Sequence, residues 1–263
     1  LLDRGRVGST DYGGGHHSPE PHAYLKSHPD KARTIFYTSP HGKFWYNPAA
    51  HIGNYYNVLD LRFADLLADD FIAYVRSDGK IKNPGFGSIG GRKSLSFGIC
   101  DTYMPIGEVL NDPTVRRLGL VTDADIARGK DAGMANIYGR FYQYLGNRLK
   151  REIPDAKLWL LIYYNSLHAS LDPRWKLPDN IEINFCAGAL PLYTRNAEKM
   201  KTTRKTLQEW YDALGGRPAQ KVWLYNSRLN TFARAVAPEF IGEIPKIFGK
   251  LIGRDGGLFY DWD

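Results

Sequence analysis

Residues 157–165 read KLWLLIYYN, an almost unbroken apolar run. It is far too short to span a membrane, which takes about 20 such residues. It is also too continuous for a strand with one wet face, which alternates apolar and polar residues. Apolar residues on successive positions are what a strand buried on both faces requires, and such strands belong to parallel sheets. This segment therefore constrains the fold more than any other. Four further runs have strand character: SLSFGIC (94–100), IEINFCAG (181–188), KVWLYN (221–226) and GLFYDWD (257–263).

Helical periodicity fills the intervals. Leu59, Phe63, Leu66, Leu67, Phe71 and Tyr74 recur at steps of three and four, which predicts a helix over about 57–76, closed by Ser77-Asp78-Gly79. Ile137, Phe141, Leu145 and Leu149 predict a second over about 132–152, stopped before Pro154. Ala197, Met200, Leu207, Tyr211 and Leu214 predict a third over about 195–214, ended by Gly215-Gly216. Phe240, Ile244, Phe248 and Ile252 predict a fourth over about 238–252, bent or delayed by Pro245. Strands alternating with helices imply parallel pairing through right-handed crossovers. A doubly wound sheet and a (β/α)8 barrel both answer that description. No G-x-G-x-x-G follows a strand and no G-x-x-x-x-G-K-[ST] occurs, so the nucleotide-binding version lacks its phosphate cradle. The barrel is favoured by the polar or aromatic residues that close the strands: Asp101, Tyr164-Asn165, Tyr225-Asn226 and Asp261-Trp262-Asp263. Barrel active sites collect from strand C-terminal ends in this way. Five strands can be placed, and a sixth is expected near His16-His17 or at Thr34–Thr38. A closed barrel needs eight, so the chain reads as a single barrel domain over 1–263, incomplete, with a loop-rich N-terminal part over 1–55.

Composition narrows the partners. Net charge is +7, but the basic residues are scattered, and KTTRK (201–205) reads as the solvated face of a helix, so no nucleic-acid partner is expected. Cys100 and Cys186 lack metal-type spacing, and His16, His17, His22 and His28 follow no known ligand pattern, so neither metal nor cofactor is expected. No run of 18 apolar residues occurs, so no membrane span is expected. The chain opens on Leu1, and a secreted or periplasmic location follows if a leader has been removed. Aromatic content is 13%, with 17 Tyr and 6 Trp, which fits either a Tyr-rich core or an aromatic-lined cleft.

The order of these segments resembles a family of uncharacterised barrels, a domain of unknown function related to glycoside hydrolases such as α-glucuronidases and β-hexosaminidases. His16-His17 with Tyr24 and His28-Pro29-Asp30 is similar to that family's histidine-bearing strand end and the element after it. SLSFGICD resembles its strand ending in an acid, LWLLIYYN the strand that follows, KVWLYNSRLNTF a later strand end, and GLFYDWD the last barrel strand. The resemblance implies about six of eight β/α units, strands three to eight, and activity on an oligo- or polysaccharide. TYMPIGEV carries no Cys where the family often has several, and Asn226 stands where the family often has an acid, so no strand-seven nucleophile is implied.

Cleavage of a glycosidic bond commonly uses two carboxyl groups, one protonated to donate to the leaving oxygen and one ionised. Asp101 leaves an apolar strand and is followed by Thr102-Tyr103, which suits a general acid or base; it equally suits a cap on the next turn. Asp261 and Asp263 lie at another strand end, and strand alternation puts both on one face. His16, His17, Tyr103, Tyr163, Tyr164, Asn165, Tyr225, Asn226 and Trp262 suit sugar contacts, because aromatic faces stack on sugar rings and Asn and Tyr bond hydroxyls. A barrel that binds sugar without cleaving it, or an inactive fragment of a larger enzyme, is the competing expectation. No G-x-S-x-G occurs, so a serine hydrolase is not indicated.

Overall fold

The computed structural model describes residues 19–49, 53–82, 93–99, 106–189, 196–225, 246 and 248–261; for 130, 188, 189, 223–225 and 253–261 it describes the backbone. Five parallel strands form one sheet in chain order, β1 (Ser94–Gly98), β2 (Lys157–Ile162), β3 (Ile181–Ala189), β4 (Ala219–Tyr225) and β5 (Ile252–Asp261). The order never reverses, so the switch point of a doubly wound sheet is missing among the described strands.

The helices form where the periodicity predicts. Short helices α1 (Pro21–Ser27) and α2 (Ala32–Ile35) precede α3 (Leu61–Arg76). Asp60 caps α3 by accepting from the Arg62 amide at 3.0 Å, and the buried face runs Phe63, Ala64, Leu67, Ala68, Phe71, Ile72. Between β1 and β2 come α4 (Ile106–Leu110), α5 (Pro113–Arg117), α6 (Asp123–Ala127) and the long α7 (Ala135–Glu152). After β3 comes α8 (Ala197–Ala213), capped by Asn196 and closed by Gly215 and Gly216, both at positive φ.

Side-chain alternation divides the sheet into two faces. Leu95, Phe97, Leu158, Leu160, Ile162, Ile181, Ile183, Phe185 and Val222 join one core cluster with residues of α3, α7 and α8. Phe97 anchors it, with ring centroids 6.2 Å from Phe63 and 5.3 Å from Phe141. The opposite face carries Ser94, Ser96, Lys157, Trp159, Leu161, Glu182, Asn184, Cys186 and Lys221. Ser96, Trp159 and Glu182 lie side by side in register, and Gly98, Leu161, Asn184, Lys221 and Gly257 form the next such row. All three long helices thus cover the same face, as helices do on the outside of a barrel.

Two expectations are corrected. Residues 34–38 are not a strand of this sheet. They leave α2 and form isolated antiparallel bridges, Phe36 with Tyr56 and Thr38 with Phe44, because backbone groups here pair locally with 43–46 and 54–57. His16 and His17 lie outside the described residues. Second, KLWLLIYYN is not buried on both faces throughout: Lys157 and Trp159 are half-buried, and the strand ends at Ile162. The helix expected over 238–252 falls mostly outside the described residues; helical turns run to Leu251 and β5 starts at Ile252.

The β2–β3 connection contains no α-helix. PRWKLPDN places Pro173 and Pro178 where a helix would have to propagate. The segment instead lies against α7, which offers glycines seven residues apart. A Cβ on Gly139 would sit 2.8 Å from Ser170 Cβ, and one on Gly146 would sit 2.8 Å from Pro178 Cγ.

Candidate functional site at the strand C-terminal edge

β2 leaves the sheet abruptly. Tyr163 is extended, then Tyr164 adopts φ +42°, a left-handed conformation costly for a bulky side chain. Ser166 holds the turn: its hydroxyl accepts from the Tyr163 amide at 3.1 Å and lies 2.9 Å from the Tyr163 carbonyl. The two tyrosine rings meet at a centroid distance of 3.8 Å. Asn165, the next residue, is buried, and its Oδ1 accepts no hydrogen bond among the described residues.

A cleft of about 190 Å³ opens between this turn, the C-terminal half of β3 and the second and third turns of α8. Tyr163 and Tyr164 form one wall and Cys186 another; Thr202, Thr203 and Thr206 of α8 supply hydroxyls, and Asp131 supplies a carboxylate. The groups available are aromatic faces, hydroxyl oxygens and one carboxylate; the Thr202 and Thr206 hydroxyls donate within α8, to the Glu198 and Thr202 carbonyls at 2.9 and 3.0 Å, and keep their acceptor lone pairs. Among the described residues no group of three His, Cys, Asp or Glu is placed to hold a metal ion.

A buried polar network fixes the segment behind the cleft. Arg128 donates to Glu209 Oε2 at 2.7 Å and to the Ala169 carbonyl at 3.1 Å, and His168 Nδ1 lies 3.0 Å from the same Glu209 oxygen. Asn136 donates to Asp125 at 2.9 Å and accepts from Ser170 at 2.6 Å, while the Trp210 indole donates to the Leu167 carbonyl at 2.8 Å. Residues 167–170 are therefore pinned to α6, α7 and α8, and Leu167 lines the cleft. Burial works to raise the Glu209 pKa, but the His168 hydrogen bond and the Arg128 charge outweigh it and hold the carboxyl below the usual glutamate range.

Of the residues expected at the site, Tyr163 and Tyr164 line this cleft, whereas Asn165, next in the turn, is buried and is not among the lining residues. Tyr225 and Asp261 are register partners on neighbouring strands, at the level of Ala189 on β3. Asp101, Tyr103, His16, His17, Asn226, Trp262 and Asp263 lie outside the described residues. Asp131 and the three threonines are additions that the sequence reading misses. Asp131 has no periodic context, whereas Thr202, Thr203 and Thr206 share a helical face inside KTTRK-T. The basic residues of that stretch, Lys201, Arg204 and Lys205, are exposed as expected, but Thr206 is buried. No helix among the described residues is long and apolar enough to cross a membrane.

No protein-family model matches the chain, and no curated protein matches it. Two solved structures of endo-glycoceramidase II from Rhodococcus sp. align with it, one a complex with a cellobiose-like imidazole and one with a five-membered iminocyclitol. Each shows 15% identity and a TM-score of 0.37, over 76% of this chain and 40% of that one. The chain spans less than half the length of the solved enzyme it is similar to.

Proposed function

We propose that the chain is the greater part of a single (β/α)8 barrel domain, strands three to eight, whose strand C-terminal edge is a carbohydrate site. In this reading it is a glycoside hydrolase that cleaves a bond in a complex saccharide through carboxyl groups at that edge. The observation that carries it is the cleft where the Tyr163–Tyr164 turn, the α8 threonines and Asp131 converge beyond the end of a chain-ordered parallel sheet. The family resemblance of the strand ends supports the same chemistry. Asp101 is the proposed acid/base, and Asp261 and Asp263 are the proposed second carboxyl group. Tyr163, Tyr164 and Asn165 bind the sugar, with His16, His17, Tyr103, Tyr225, Asn226 and Trp262 completing the contacts.

A second reading, sugar binding without cleavage, is favoured by one observation: the described cleft contains a single carboxylate, Asp131. A panel of aryl glycosides and aryl uronides separates the two. Turnover by the parent chain that falls by about a hundredfold or more in Asp101→Asn supports acid/base catalysis. An active parent unaffected by Asp101→Asn removes Asp101 from that role. A chain that binds oligosaccharide in calorimetry, loses binding in Tyr164→Ala, and turns over nothing is the binding module.

A further inference from the structure

The strand-end cleft has a chemical bias that follows from where its hydroxyl protons go. The Thr202 hydroxyl donates to the Glu198 carbonyl at 2.9 Å, and the Thr206 hydroxyl donates to the Thr202 carbonyl at 3.0 Å, each one turn back along α8. A hydroxyl whose proton is committed still has lone pairs. What these two residues can offer a ligand is therefore acceptor capacity.

Asp131 carries the bias further. It is half-buried, and its carboxylate makes neither an ion pair nor a hydrogen bond among the described residues. No Lys, Arg or His belongs to the described lining, and the bases of the neighbouring helix, Lys201, Arg204 and Lys205, are exposed and outside it. The turn over 130–134 packs on the turn that holds Tyr164, so the carboxylate and the tyrosine rings bound one space of about 190 Å³. Acceptors thus outnumber donors there, and one negative charge is left without a counterion. An ammonium group is the complement of such a lining: it is a cation, it has three donors, and it has no acceptor. Aromatic rings attract the same charge.

We propose that this cleft binds a primary ammonium group, paired with Asp131 and seated against Tyr163 and Tyr164. The scaffold that carries the ammonium rests on the carbohydrate reading above: it is an amino sugar with its amine free, not the neutral N-acetylated form. The net charge of +7 repels cations at long range, so a preference for the cationic sugar has to come from this local arrangement.

The test is calorimetric titration of the full chain with glucosamine, N-acetylglucosamine, glucose and ethylamine at about pH 6, where amines are protonated, and at constant ionic strength. The expected result is one-to-one binding of glucosamine, about tenfold or more tighter than either neutral sugar, which is the scale of a charge-assisted hydrogen bond. Asp131→Asn keeps the shape of the side chain and should abolish that preference. Thr202→Val should weaken glucosamine binding by about threefold; Thr202 is exposed, so this variant keeps the test valid even where Asp131→Asn disturbs its turn. Asp123→Asn, at an exposed acid outside the cleft, should change nothing. Neutral sugars that bind as tightly as glucosamine, or a preference that survives in Asp131→Asn, overturn the ammonium site and leave the carbohydrate reading standing. Ethylamine bound in an Asp131-dependent way while no sugar binds upholds the ammonium site and overturns the carbohydrate reading. No binding of any of the four by ~50 mM overturns both.

Discussion

The two faces of the sheet are made from the same five strands, yet they are different surfaces. Toward the helices the strands present Leu95, Phe97, Leu158, Leu160, Ile183 and Phe185, all fully buried. Away from the helices they present Ser94, Ser96, Lys157, Trp159, Glu182, Asn184 and Lys221, of which Ser94, Ser96 and Asn184 are buried as well. A central parallel strand covered by helices on both sides reads as continuous apolar sequence. Here only one face is written for apolar packing, while the other is sequestered but polar. Removing water from polar groups is favourable only where hydrogen bonds replace it. The helix-side face therefore supplies stability, and the polar face presents hydrogen-bonding groups that the three long helices do not cover.

The largest expected difference is between one aromatic on each face. Phe97→Ala should cost about 3–5 kcal/mol in urea unfolding, because its ring packs against Phe63, Phe141 and Tyr142 with no room to collapse. Trp159→Ala on the polar face should cost clearly less, since Trp159 is half-buried and stands outside the core cluster. Equal losses would show that both faces are packed alike. Next in size is Gly139→Ala. Helix propensity alone predicts a gain of about 1 kcal/mol. The 2.8 Å approach of Ser170 Cβ should reverse this into a loss of about 1–3 kcal/mol, read from the thermal midpoint. A stabilised variant would mean that the β2–β3 connection is not wedged on α7.

Much of this is legible in the sequence, and the failures have physical causes. The α3 and α7 faces are visible because a helix in contact with a sheet repeats its apolar positions every three or four residues. The polar face is also legible in SLSFG and IEINF, which alternate, with Ser94, Ser96, Glu182 and Asn184 on alternate positions. KLWLLI hides it, because Leu161 is apolar on that face and Trp159 passes for a core residue. Tyr164 and Asn165 stand out as strand-end residues, but the left-handed turn at Tyr164, which leaves Tyr164 on the cleft and Asn165 buried, has no signature in a sequence with Tyr at that position. Asp131 is invisible for a different reason. It reaches the cleft only because chain-ordered pairing brings β3 and α8 beside the segment that precedes α7, a long-range consequence that no local pattern carries.

The ion pairs on the two sides of the sheet sharpen the comparison through smaller effects. Glu209, on the helix side, is held below the usual glutamate pKa. Its folded value is the lower one, so its stabilisation is fully present above the ordinary value of about 4.3 and is lost as pH falls through the depressed folded value. Glu209→Gln should cost about 1–2 kcal/mol at neutral pH. The deficit should shrink on acidification, because the parent carboxylate takes up a proton on unfolding and the amide of the variant does not. A deficit that stays constant between about pH 6 and pH 3 would remove the carboxylate charge from the account.

Lys157 and Glu182, paired at 3.2 Å on the polar face, form the weaker counterpart. Glu182 is largely enclosed but Lys157 is 44% exposed, so water and salt screen the pair. A double-mutant cycle of Lys157→Met and Glu182→Gln should give a coupling of about 0.2–1 kcal/mol. The coupling should fall further in about 0.5 M salt, where the screening length is only a few ångströms. A coupling above about 2 kcal/mol, insensitive to salt, would mean that the pair sits in a closed low-dielectric interior. The cycle thus reads how far the polar face is shut off from solvent, which is the property that separates a barrel lumen from an open sheet surface.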